Sequence, residues 1–92
     1  MGADEPEGPP VVLLSDGEAA YLLAWEQVRG EWYAWVTWIR ERGGRPYRHT
    51  VSVRGASVQA AEPAGAYRQV PRRVRGADGV VRPWAPGPSG LL

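Results

Sequence analysis

The chain contains one histidine, His49, the only side chain whose ordinary pKa suits acid–base work near neutrality. It lies in an alternating stretch, Tyr47-Arg48-His49-Thr50-Val51-Ser52-Val53-Arg54. That alternation turns Tyr47, His49, Val51 and Val53 inward together. The residue therefore reads as a half-buried, hydrogen-bonded structural histidine. Glu26, Glu31 and Glu41 are the candidate carboxylates, but their spacing sets up no acid–base pair, and they read as solvated strand and loop residues. There is no cysteine, which excludes a disulfide framework, a thiolate metal site and a cysteine nucleophile. No His/Asp/Glu group has metal-ligand spacing. Gly43-Gly44 has the look of a hairpin loop, without the strand-to-helix context of a phosphate cradle. The expectation is a chain that is not an enzyme, with no catalytic residue, no cofactor and no metal.

What remains as chemistry is arginine and tryptophan. All 11 basic residues are Arg, while Lys, Asn and Phe are absent. The net charge is +1, unevenly spread: residues 1–18 carry Asp4, Glu5, Glu7, Asp16 and Glu18 with no base, and residues 63–92 carry five Arg against Asp78 alone. Such asymmetry points to a nucleic-acid or acidic partner. GC-rich codon usage accounts for at least part of the same excess, because the missing residues share AT-rich codons. Arg72, Arg73, Arg75 and Arg82 would form a basic patch. It reads either as a phosphate-contacting arm or as an ordinary Arg-rich surface, one that the acidic N-terminus could cover.

Four of the 5 Trp and two of the 4 Tyr fall within residues 20–39. A helical reading has Ser15-Asp16-Gly17-Glu18 as a capping box and Gly30 as a C-terminal cap. A strand reading is better supported, since residues 32–39 consist almost entirely of strand formers. Gly30-Glu31 then fits a type II′ hairpin turn. This register sets Arg29 opposite Trp32, Gln27 opposite Ala34, Trp25 opposite Val36 and Leu23 opposite Trp38. One face carries Tyr21, Leu23, Trp25, Trp32, Ala34, Val36 and Trp38 and should be the core, with Trp25, Trp32, Val36 and Trp38 largely buried. The other face is mixed. There Tyr33, Trp35 and Ile39, beside Arg48 and Arg54 of the next strand, form the candidate binding surface: aromatics next to arginine suit a protein hot spot or stacked bases. Alternatively, residues 63–84 fold back over this face through Tyr67, Val70, Val74, Val80 and Trp84.

These elements imply an organisation. Residues 1–10 read as a disordered acidic N-terminus, 11–62 as the folded core, 63–84 as an Arg-rich extension packed on it, and 85–92 as a disordered Pro/Gly tail. Strands are expected at Val11–Leu14, on both arms of the aromatic hairpin, at 47–54 and at 58–60, with a further hairpin in the extension around Gly76-Ala77-Asp78-Gly79. Five short strands in about fifty residues predict an all-β domain, a small antiparallel barrel with a C-terminal extension. No stretch approaches the ~18 apolar residues of a membrane span. MGADEPEGPP lacks the basic and apolar regions of a signal peptide, so the expected location is cytoplasmic.

The order of a long hairpin containing WYAWV, a strand ending VSVRGAS and a short SVQAAEP strand resembles the SH3-like or Tudor-like barrel over residues 11–62. The chain also resembles small actinomycete proteins in which an AYR-x-VPRRVRG segment, here Ala66–Gly76, follows such a barrel. The resemblance implies binding of peptides or nucleic acids and brings no activity with it. The resulting expectation is a non-catalytic interaction module that binds a protein partner, or itself, through the aromatic outer face. The alternative is a nucleic-acid-binding accessory protein that uses its surface and tail arginines.

Overall fold

The computed structural model describes residues 8–84. The expectations for residues 1–7 and 85–92 lie outside these. The described chain is all-β, apart from two short 3-10 turns at Gly55–Ser57 and Ala64–Tyr67. Seven strands follow in order: β1 Val11–Leu13, β2 Ala19–Val28, β3 Glu31–Arg42, β4 Arg45–Arg54, β5 Gln59–Ala60, β6 Arg72–Arg75 and β7 Val81–Pro83. They form one sheet with the order β4-β3-β2-β1-β5, to which β6 and β7 are added through β2. The expected barrel does not close, because no ladder joins β5 to β4. β5 is only two residues long, too short to span from β1 to a second edge.

Two-residue turns organise the β2–β3–β4 meander. Val28 pairs with Glu31, so the first turn is Arg29-Gly30 and not the expected Gly30-Glu31. Both turn residues have positive φ, 53° at Arg29 and 81° at Gly30, which is the type I′ pattern whose twist matches the flanking strands. Holding a non-glycine residue there costs about 1–2 kcal/mol. Moving the turn back by one residue at each end shifts the register by two, so side-chain parity is conserved near the turn. Trp25, Trp32, Ala34, Val36 and Trp38 accordingly share the core face, joined by His49, Val51 and Val53 of β4.

Parity fails further along β2. Ala24 pairs with Trp35 but Leu22 pairs with Val36, leaving Leu23 as a bulge. The bulge turns Leu22 inward, where it is fully buried, and leaves Tyr21 and Leu23 exposed. This corrects the expectation that Tyr21 and Leu23 face the core. The bulge also divides the far edge of β2. Residues 19–21 pair with β1, and residues 25–28 pair with β6 in parallel.

The core comprises Val12, Ala20, Leu22, Ala34, Val36 and Val70, with Leu14, Trp25, Trp38, Val51, Val53, Val58 and Tyr67 packed around it. The largest indoles are half-buried, so the expectation that Trp25, Trp32 and Trp38 are largely buried is corrected; only Val36 of that set is fully enclosed. A sheet of this size buries its small residues centrally and leaves the wide indoles at the margins, which is common for Trp.

The extension joins the sheet through residues 72–75 and 81–83. Trp25 N–H donates to the Pro71 carbonyl (2.9 Å) as β6 begins, and Trp84 N–H donates to the Arg72 carbonyl (2.9 Å) as the β6–β7 hairpin ends. The turn between them is tied by Gly76 N–H to the Val80 carbonyl (2.9 Å) and Val80 N–H to Asp78 Oδ1 (3.0 Å). Tyr67 fastens the approach. Its hydroxyl accepts from the N–H groups of Ala61 (2.8 Å) and Glu62 (3.0 Å) and donates to the Val11 carbonyl. Glu62 completes this tie by accepting the Val11 N–H at 2.6 Å.

Candidate binding cleft

The parallel addition of β6 creates a cleft that neither hairpin has by itself. Trp25 and Trp32 stand at the turn end of the core face. The β6–β7 hairpin brings Trp84 edge-on to Trp32, with ring centroids 5.7 Å apart and planes at 70°. This offset edge-to-face arrangement is one that aromatic quadrupoles favour. Arg72 lies over the Trp84 ring, 5.6 Å from its centroid. Across from these runs the 3-10 turn at Gly55. A Cβ there would lie 3.0 Å from the Trp32 carbonyl oxygen and 3.3 Å from Cζ3 of Trp25. A side chain here would crowd both tryptophans and make the wall give by a few tenths of an ångström, so glycine suits this close approach.

The result is a cavity of about 840 Å³ lined by Trp25, Trp32, Tyr67 and Trp84, with Gly55 and Ala56 as its backbone wall. Its rim carries Arg72 and the ion pair of Arg54 with Glu31, 2.9 Å. Four aromatic side chains and a charged rim suit an apolar ligand whose ends are polar. A second hollow of about 630 Å³ lies where β1 and β6 part, beside Tyr21 and Leu23.

The residues expected to bind on the outer face do lie together. Tyr33 pairs with Arg54, Trp35 with Ser52 and Ile39 with Arg48. That face is already occupied at one end. Glu26, only 3% exposed, sits beside Tyr33 and Trp35. Its Oε1 accepts from Trp35 Nε1 (3.0 Å) and Arg73 Nε (2.9 Å), and its Oε2 accepts from Arg75 Nε (2.7 Å). Burial pushes the Glu26 carboxyl up, but the hydrogen bonds from Arg75, Arg73 and Trp35 outweigh it and hold the group below the usual carboxylate range. Arg73 also lies over the Trp35 ring at 5.7 Å, and Arg54 over Tyr33 at 6.0 Å. Both aromatics are half-buried, whereas Ile39 is 55% exposed.

The four tail arginines do not converge. Arg73 and Arg75 point to the outer face and are held by Glu26. Arg72 points to the cleft. Arg82 pairs with Asp78 at 3.3 Å, and Asp78 is held below its ordinary range by the Val80 N–H and then by Arg82. His49 stacks edge-on against Trp38, 4.9 Å between centroids. Among the described residues, no group of three or more His, Asp or Glu is placed to hold a metal ion. No helix there is long and apolar enough to cross a membrane.

Sequence reasoning placed Trp25 and Trp32 in the core and so missed the cleft. The signal was available in Gly55, which follows the longest alternating strand. Its near contact with the two tryptophans, however, depends on how the sheet bends. No protein-family model, curated protein or solved structure matches the chain.

Proposed function

We propose that the protein is a non-catalytic interaction module that seats an extended, apolar segment of a protein partner in the Trp25/Trp32/Tyr67/Trp84 cleft. The observation that carries this reading is the cavity of about 840 Å³ with four aromatic walls and the Arg54–Glu31 pair at its rim. Aromatic-lined grooves take extended proline-rich chains at low entropic cost, because such chains are already stiff. Arg54 belongs to both the rim and the outer face, so the expected binding surface and the cleft are continuous at that residue. The nucleic-acid reading of the tail arginines is less well supported, since Arg73, Arg75 and Arg82 each already have a carboxylate partner.

The test is a titration with a proline-rich decapeptide, followed by tryptophan fluorescence and by the indole N–H signals in NMR. Binding in the cleft shifts the signals of Trp25, Trp32 and Trp84 and is lost in Trp84→Ala. A peptide that leaves those three signals in place refutes the reading. A concentration-dependent mass in sedimentation, abolished by Trp84→Ala, would make the partner a second copy of the chain.

A further inference from the structure

Beyond Thr37, β3 pairs with β4 alone. Trp38–Arg42 and Arg45–His49 thus form a two-stranded ribbon, closed by the turn at Gly43-Gly44, and every residue from Ile39 through Pro46 is exposed. The ribbon carries Arg40, Arg42, Arg45 and Arg48 against Glu41. Among the described residues, none of these four arginines pairs with a carboxylate. Arg42 and Arg45 stand directly opposite each other, a like-charge juxtaposition that weakens a hairpin unless an outside anion neutralises it.

The arginines are also pre-oriented. Trp38, His49 and Tyr47 form an edge-to-face ladder on one face of the ribbon, with centroid separations of 4.9 and 6.3 Å. Arg40 lies over Trp38 at 5.9 Å and Arg42 over Tyr47 at 5.5 Å. These stacks hold the guanidiniums up along the face that also carries Arg45. Because the rings pack edge-on against one another and the Trp38 and Tyr47 rings each lie under an arginine, they are poorly placed to stack with unpaired bases. The presented chemistry is a row of forked cations on a narrow strip.

We propose that this ribbon binds the phosphate backbone of double-stranded DNA, lying along a groove without reading sequence. Five residues per strand give a length of about 17 Å, and a two-stranded ribbon fits a major groove about 12 Å wide. Guanidiniums match phosphate in a bidentate manner. This site is separate from the cleft and from the tail arginines.

The test is fluorescence anisotropy of the full chain with a labelled duplex of about 20 base pairs. Arg48 faces the other side with Ile39, so three phosphate contacts weaken binding about 40-fold between about 50 and 200 mM salt. Replacing Arg40, Arg42 and Arg45 together by Gln lowers affinity at least about tenfold and reduces the salt slope by about 3 units. The same three positions changed to Lys keep salt-dependent binding, weaker than the parent for want of the guanidinium fork but stronger than the Gln variant. This charge-preserving variant remains informative if the Gln variant loses its hairpin by circular dichroism. Arg68→Gln binds as the parent does. The proposal is overturned if duplex binding is absent or insensitive to salt, if the Gln variant folds and binds like the parent, or if the Lys variant loses binding. It is equally overturned if a single strand, polyglutamate or phosphatidylserine vesicles compete as well as duplex.

Discussion

Glu26 and Arg75 meet at 2.7 Å across the parallel junction of β2 and β6, although 49 positions separate them in the chain. The carboxylate is almost wholly buried, whereas the side chains of Arg73 and Arg75 keep 36% and 40% of their exposure. Water therefore screens the cations more than the anion. The contact matters less as an ion pair than as the satisfaction of a buried acceptor that Trp35 also serves. It fixes the order in which the C-terminal hairpin lies against the aromatic one, and with it the cleft.

Glu26→Ala removes the shared acceptor of three donors. Breaking a buried pair costs about 3–5 kcal/mol, and the partly exposed arginines place this case near 3. Urea denaturation measures the change. A midpoint equal to that of the parent would show that β6 is held by its backbone ladder alone.

Acid should loosen the same junction. The folded-state pKa of Glu26 lies below the ordinary 4.5, so the folded form binds its proton less readily than the unfolded one. The stabilisation is complete above the unfolded value and is lost as pH falls through the folded value. The melting temperature of the parent should drop below pH 4.5 more steeply than that of Glu26→Gln. Parallel curves for the two proteins would assign the acid sensitivity to other groups.

Trp38 carries a buried Nε1–H with no acceptor among the described residues. An unmet buried donor costs about 1–3 kcal/mol. Trp38→Phe removes that donor and keeps a ring against His49, so it should be neutral within about 1 kcal/mol. Trp38→Ala loses the packing as well and should cost about 3 kcal/mol, the lower end for a large aromatic, because the indole is half-buried. Thermal melts of the two variants side by side decide this. Equal losses would mean that the indole nitrogen has a partner in solution.

Gly55→Ala places a methyl 3.0 Å from the Trp32 carbonyl oxygen. The backbone wall must retreat, at a cost of about 1–3 kcal/mol as for other overpacked sites. Peptide binding in the cleft should weaken in parallel. A variant that melts with the parent and binds equally well would show that the wall yields without strain.

Much of this arrangement is legible in the residues. Alternation at Tyr47-Arg48-His49-Thr50-Val51-Ser52-Val53-Arg54 gives the β4 faces directly, and the Gly/Asp turn gives the β6–β7 hairpin. The facing of Trp25 and Trp32 survives a misplaced turn, because a shift of two residues preserves parity. The bulge is not legible: Leu22 and Leu23 are the same residue type, and either could turn inward. Glu26 reads as solvated because nothing within β2 or β3 foreshadows two arginines arriving from beyond position 70. The cleft is hidden for the same reason, since its walls come from four separate parts of the chain. Contacts between distant segments leave little trace in local pattern.

The late position of β6 bears on how the chain is made. Residues 25–28 of β2 keep an open edge until residues 72–75 exist to fill it. During synthesis from the N-terminus the aromatic hairpin is therefore complete while Trp25 and Trp32 still lack Trp84 and Arg72 as neighbours. A ribosome-bound intermediate of this kind displays two indoles beside an unfilled strand edge, the surface that holdase chaperones retain and that invites pairing with another nascent copy. Residues 72–75 thus shield the edge that residues 25–28 would otherwise offer, and chains truncated before residue 72 should report on aggregation well before they report on binding.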